Sequence, residues 1–480
     1  MDNTLKFKLK SIGSNTNIFA FLFFAVFGFL TIIDAQARIL ITDPAYYLFN
    51  IINDGDFFIS GPRYTTVINQ FLVLGAVKLH VPLKWLIPLY SFSFALVRLG
   101  YYLLAVKVFK SKSAGFAIIA ITVIGVSESY FRPTSESTIA LLNSVLLFSF
   151  LFYSDNRDWG KWKTTIQLLG TIAFVVFGYY SHPIALFSLF FVVGYFSLFN
   201  KKFKTLYPYL AILAVLLVFM GKVLFGANSE HHSSLYGNLF SSPIAILKEL
   251  PTYYSYKYFD GHFKQLYRTL IVLLICSIVV LFIKREKRLT ALFVAGYSVV
   301  YFVVACTSFQ KGDSNMQMEK IFIPIVLFSA LAFSDGVGNS IKRKELLINV
   351  AIIVIFIIGF QQISKARLLY QGRIDYLKEI VAEAQKEDRK KLIIQRDQIT
   401  KKMVFSWGMG IETLMLSSMK QDVPPLTVFC QQGKEIDKEN KAAGNFIVAH
   451  FRTSYAQKRL NENYFQLPEE EYKDWGRDLK

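Results

Sequence analysis

The sequence predicts an all-α polytopic membrane protein of about 11 to 13 transmembrane helices, with a small α/β domain on the extracytoplasmic side. Three observations predict it. The 480 residues are 53% hydrophobic and only 18% charged, where a soluble protein carries nearer a quarter charged residues. The apolar residues are gathered into long blocks, too many for the core of one soluble domain. Composition then changes at about residue 362, which divides the chain into a helical region, 1–361, and a C-terminal region, 362–480.

The apolar blocks fall at 18–33, 84–107, 114–129, 137–153, 164–180, 183–199, 206–224, 266–283, 289–307, 319–334 and 346–361. A crossing helix needs about 20 residues, which several of these reach only with their flanks. Lys6, Lys8 and Lys10 precede the first block and predict a cytoplasmic N-terminus. The same rule puts the basic loops 107–112, 157–163, 201–204, 284–288 and 342–344 inside. The segments 34–63, 130–136, 181–183, 225–265 and 308–318, with everything after 361, then lie outside. Residues 64–80 are apolar enough to insert, yet a single crossing there would place 107–112 outside. They read as a re-entrant or interfacial helix, or as part of a region with two further short crossings. Ala35-Gln36-Ala37 has the form of a signal-peptidase site, but Asp34 and the apolar residues before it fit retention as the first helix.

After residue 361 the chain carries 21 Lys and Arg against 17 Asp and Glu, with no spanning block. A charged amphipathic helix is expected at about 372–390, leading out of the last block, then a strand at 392–395 and a helix near 410–420. Strand-like runs follow at 426–430 and 446–451. Alternating elements of this size predict a small α/β domain.

The net charge of +19 would favour nucleic acid in a soluble protein. Here most of it lies in the loops that orient the helices, so no nucleic-acid partner is expected. Cys276, Cys306 and Cys430 cannot build a disulfide framework, and their spacing is not that of a zinc site. No phosphate-binding glycine loop, dinucleotide fingerprint, HExxH or GxSxG motif is present. Adjacent His231 and His232 point to different sides of a regular element and make poor metal ligands.

The densest chemistry follows the first helix: Asp34, Arg38, Asp43 to Tyr47, Asn53 to Asp56, then Gly61-Pro62-Arg63. Such a run is also ordinary in a solvated loop, and Asp43 would cap a helix whose residues Tyr46, Tyr47, Phe49, Ile51 and Ile52 lie in the membrane interface. Other outer turns hold Glu128, Arg132 and Glu136, then Ser181 and His182, then Lys257, Asp260, His262, Lys264 and Arg268, then Lys311, Asp313, Glu319 and Lys320. A single basic residue at a helix end usually snorkels. Several on the face where basic residues are depleted point to a phosphate or pyrophosphate headgroup.

The order of these features resembles the GT-C superfamily of polytopic glycosyltransferases, the group of protein O-mannosyltransferases and lipid A aminoarabinose transferases. Those proteins read Asp-Glu-Ala-Tyr-Tyr after the first helix, then a short helix ending in Gly and Phe, then a proline turn. Here Asp43-Pro44-Ala45-Tyr46-Tyr47, the run from Asp54 to Phe58 and Pro62 match that order. Gly178-Tyr179-Tyr180-Ser181-His182-Pro183 is a weaker echo of the family's Thr-Lys-Gly-Pro before an apolar helix. The likeness covers residues 18–200 in pattern and the rest only in topology. The chain departs from the family at Pro44, where the second acid should be, and at His182, where the lysine should be. One carboxylate makes a poor divalent-cation site, so no metal site is assigned.

The resemblance implies sugar transfer from a polyprenyl-phosphate-linked donor to a lipid, glycan or protein acceptor, and the aromatic-rich composition (16%) points to a bacterial inner membrane. Asp43 would be the general base, helped by Asp34 or Asp56. Arg63, Arg132, His182, Lys257, Arg268 and Lys320 would stabilise the departing lipid phosphate. Attack opposite that phosphate would invert the anomeric carbon. The rival expectations are a transporter or flippase of a lipid-linked or anionic substrate, and an O-antigen ligase or polymerase.

Overall fold

The computed structural model describes residues 16–61, 63–134, 136–182, 184–226, 243–338, 344–420, 422–433, 436–449 and 455–476. The lysines at 6, 8 and 10, Pro62, Pro183, His231, His232, Lys342 and the end of the run 446–451 lie outside them.

Helices follow the apolar blocks. They are α1 (Thr16–Ile33), α2 (Ala35–Ile39), α3 (Thr42–Asp54), α4 (Phe71–Lys78), α5 (Leu83–Leu103), α6 (Lys112–Val123), α7 (Glu136–Asp155) and α8 (Lys163–Tyr179). Then come α9 (Ile184–Phe199), α10 (Tyr207–Gly226), α11 (Pro243–Glu249), α12 (Tyr254–Gly261), α13 (Arg268–Ile283), α14 (Arg288–Ser308), α15 (Asn315–Gly338) and α16 (Lys344–Ala384). Among the described residues six helices are long and apolar enough to cross a membrane, and four shorter ones are apolar. Ile275, Val279, Leu289, Val299 and Val300 stay exposed. Apolar side chains left outward on such helices are what a bilayer, not water, would cover.

Two expectations change. The block 114–129 is helical only to Val123, because Gly125 takes φ 69° and Glu319 gathers the backbone that follows. The helix expected to lead out of the last block at 372–390 does so without a break, though it ends at Ala384. It is the end of α16, whose 41 residues make a rod about 60 Å long, twice the hydrocarbon core. That helix passes residue 361 without a break. Finally, the apolar residues of α3 are covered by protein. Tyr47, Phe49, Ile51 and Ile52 are buried, and Phe49 packs against Phe446, Tyr455 and Phe465. The 64–80 segment is a short 3₁₀ turn, Tyr64–Asn69, followed by α4. At eight residues α4 is about 12 Å long and cannot cross.

Beyond α16 lie β1 (Lys391–Gln395), α17 (Met409–Ser418), β2 (Thr427–Gln431), α18 (Lys438–Lys441), β3 (Asn445–Phe446), β4 (Tyr455–Ala456) and β5 (Lys473–Asp474). β1 pairs in parallel with β2 and with β5, giving the order β2-β1-β5. β3 and β4 pair antiparallel. The parallel β1-α17-β2 crossover is the α/β unit that the alternating pattern predicts.

Candidate functional site

Four long-range anchors fix the chain between α1 and α3. Arg38 is buried and donates to the Tyr130 carbonyl (3.0 Å) and to the Ser91 carbonyl (3.0 Å) and hydroxyl (2.5 Å). Asp34, also buried, accepts from Arg367 (2.6 Å) and from the Tyr130 hydroxyl (3.3 Å). Burial raises its carboxyl above the usual range, while Arg367 and Arg38 pull it back. Arg373 donates to the Leu40 carbonyl (2.7 Å). Glu412 on α17 accepts the Thr42 N–H (2.7 Å) and pairs with Arg373.

These anchors set Asp43 in the first turn of α3. Pro44 follows it, where a missing N–H costs nothing. Asp43 does not cap the helix. The residue before the first turn is Ile41, and the Asp43 carboxylate pairs instead with Arg132, which follows the short turn Glu128–Phe131. The Asp43 side chain keeps 33% of its surface exposed and Arg132 23%, so both remain reachable. Lys320 on α15 is buried and donates to the Arg132 carbonyl (3.2 Å). Beside this pair stands a second one, Arg63 with Glu136 (3.2 Å), and Tyr47 of α3 donates to the same carboxylate (3.2 Å). Burial and the Glu136 charge push the Tyr47 phenol up, so it stays a donor.

Glu319, next to Lys320, accepts the backbone N–H groups of Ser127, Glu128 and Ser129 at 2.8–2.9 Å. It thereby shapes the turn that carries Arg132. Behind that turn lies a cavity of about 20 Å³ whose lining includes Arg38, Arg98, Arg132 and Lys320 but no carboxylate. The volume suits about one water, so a phosphate there requires the side chains to part. The Nε atoms of Arg98 and Arg132 are buried with no hydrogen-bond partner. Unsatisfied cationic donors around one space favour an anion.

The structure thus brings Asp43, Arg63, Arg132 and Lys320 together, with Asp34 behind them on the Arg38–Tyr130 contact. Asp56 is not with them. It lies past the far end of α3, roughly 18 Å from Asp43 by helical rise, and accepts the N–H of its own neighbour Phe57 (2.7 Å). Asp56 therefore cannot help Asp43. His182 accepts the Ile184 N–H through Nδ1 (3.2 Å) at the turn into α9. Lys257 and Arg268 are exposed on α12 and at the start of α13, with no ion pair to this cluster among the described residues. Among the described residues no three His, Cys, Asp or Glu side chains converge as a metal would require.

Sequence reading left out Glu136 and Tyr47 as partners, and Arg98, Arg373 and Glu412 altogether. Arg98 inside an apolar helix was the available signal, because such charges are rarely idle. Glu412 within Gly410-Ile411-Glu412-Thr413-Leu414 carried the same signal. No family model matches this chain, and no curated protein matches it.

Proposed function

We propose that the chain is an integral-membrane glycosyltransferase of GT-C type. It moves a sugar from a polyprenyl-phosphate-linked donor to an acceptor on the extracytoplasmic face of a bacterial inner membrane. The observation that carries this reading is the reachable Asp43–Arg132 pair beside a cavity lined by Arg38, Arg98, Arg132 and Lys320. It is a base next to an anion site, at the end of helices apolar enough for a lipid tail to lie against.

Arriving phosphate competes with Asp43 for Arg132 and frees the carboxylate. Asp43 then takes the proton of the acceptor hydroxyl as its oxygen attacks the anomeric carbon. The bond from that carbon to the phosphate oxygen breaks. Its electron pair stays on the phosphate, where Arg132 and Lys320 stabilise it. The sugar anomer inverts, and polyprenyl phosphate leaves into the bilayer.

The test is purified protein in proteoliposomes with a panel of polyprenyl-phosphate sugars, assayed for free polyprenyl phosphate and sugar on an acceptor. Release of both supports the reading. A second reading, a transporter or flippase, draws on charges inside apolar helices, namely Arg98, Lys320 and the half-buried Asp335 of α15. Movement of an intact substrate with no bond broken would establish that reading instead.

A further inference from the structure

We infer that Glu412 of the C-terminal α17 is a positioning residue for Asp43: it holds Thr42 in a left-handed backbone conformation that sets how α3 presents Asp43 to Arg132. This rests on the reading of Asp43 given above. Thr42 has φ 38°, while Ile41 before it is extended at φ −147°. A β-branched residue in the left-handed region is a genuine outlier, and it persists only where its surroundings enforce it.

The enforcement comes from a segment 370 residues away. Glu412 is fully buried and one carboxylate oxygen accepts the Thr42 N–H at 2.7 Å. Its other oxygen holds Arg373, itself buried, which also donates to the carbonyls of Leu40 (2.7 Å) and Phe405 (3.0 Å). The backbone on both sides of Ile41 is thereby tied to one buried ion pair. Gly408, four residues before Glu412, packs against the same spot. A Cβ there would lie 3.2 Å from the Thr42 Cα and 2.8 Å from the Glu412 carboxylate. The Thr42 hydroxyl is buried and has no hydrogen-bond partner, so its side chain does not hold the turn. Release the clamp, and Thr42 relaxes toward negative φ and swings the first turn of α3, with Asp43, off Arg132.

The test needs no substrate. Cysteines replace Asp43 and Arg132 in the full chain lacking Cys276, Cys306 and Cys430, and short bifunctional thiol reagents of graded length bridge them. The best reagent's yield in the Glu412 background is the reference. Glu412→Ala is expected to cut the yield at least fivefold, and adding Thr42→Gly to restore most of it, because glycine takes φ 38° without strain. Simple unfolding of the C-terminal region would not be rescued by a glycine. Gly408→Ala, which deletes no buried charge, should lower the yield at least twofold if Glu412→Ala fails to fold. Full yield in both single variants, or a loss that Thr42→Gly leaves in place, overturns the inference. Sugar transfer is assayed on the same chain with Asp43 and Arg132 intact. Cross-links that behave as expected, in a chain that transfers no sugar, overturn the functional reading and leave the clamp standing.

Discussion

The two ends of the helix bundle handle charge in opposite ways. At the end formed by 34–63, 127–136 and the C-terminal region, three carboxylate–guanidinium pairs are buried or half-buried and join segments distant in sequence. Asp34 meets Arg367, Asp43 meets Arg132, and Glu412 meets Arg373. At the other end sit the loops rich in lysine and arginine. There Lys112 holds Glu345 (2.7 Å), Lys163 and Lys202 share Asp155 (3.1 and 2.9 Å), and Lys287 donates to the Phe199 carbonyl. Many basic residues of these loops, such as Lys204, Arg285 and Arg288, are simply exposed. Exposed pairs contribute little to stability, whereas buried pairs cost desolvation that they seldom recover fully. Charges kept where they are expensive are explained by chemistry or positioning better than by stability.

Breaking the comparison at its first end should have large effects. Arg132→Ala removes the cation that the proposed transfer sets next to the departing phosphate and is expected to lower kcat about 10²-fold or more, read as polyprenyl phosphate release. Lys320→Met should lower it about tenfold or more in the same assay, because it also frees the turn that carries Arg132. Asp34→Ala strands Arg367 and Tyr130 and is expected to cost about 3 kcal/mol of stability in detergent. Asp34→Asn should cost less, because burial already favours the neutral form of that carboxyl. At the second end, Lys112→Ala removes a pair whose lysine side chain is 61% exposed. Its effect should stay within about 0.5 kcal/mol, with activity unchanged. A large loss there would erase the distinction between the ends.

What the sequence made legible was whatever is written locally. Apolar runs placed the helices, because about 20 apolar residues in a row leave few alternatives. Alternating short elements placed β1, α17 and β2. Asp43 and Arg132 stood out as polar residues at turns between apolar helices. What stayed hidden depends on contacts between distant segments. Nothing in 42–54 announces that Phe446, Tyr455 and Phe465 cover α3, so its apolar residues looked like an interfacial face. Asp56 looked close to Asp43 because it is near in sequence, whereas a straight helix holds the two apart. Glu412 was invisible as a partner of Thr42 for the same reason, although a lone acid among apolar residues marked it as buried.

The proposed function makes Asp43 the base of a sugar transfer at the first end. It is tested most directly by single-turnover release of polyprenyl phosphate in proteoliposomes, with the unaltered chain and Asp43→Asn side by side. The substitution keeps the size of the side chain and removes its capacity to take a proton. Transfer by the unaltered chain and a loss of at least about 10³-fold in the variant, with the fold intact, are expected. Equal transfer by both proteins would contradict it.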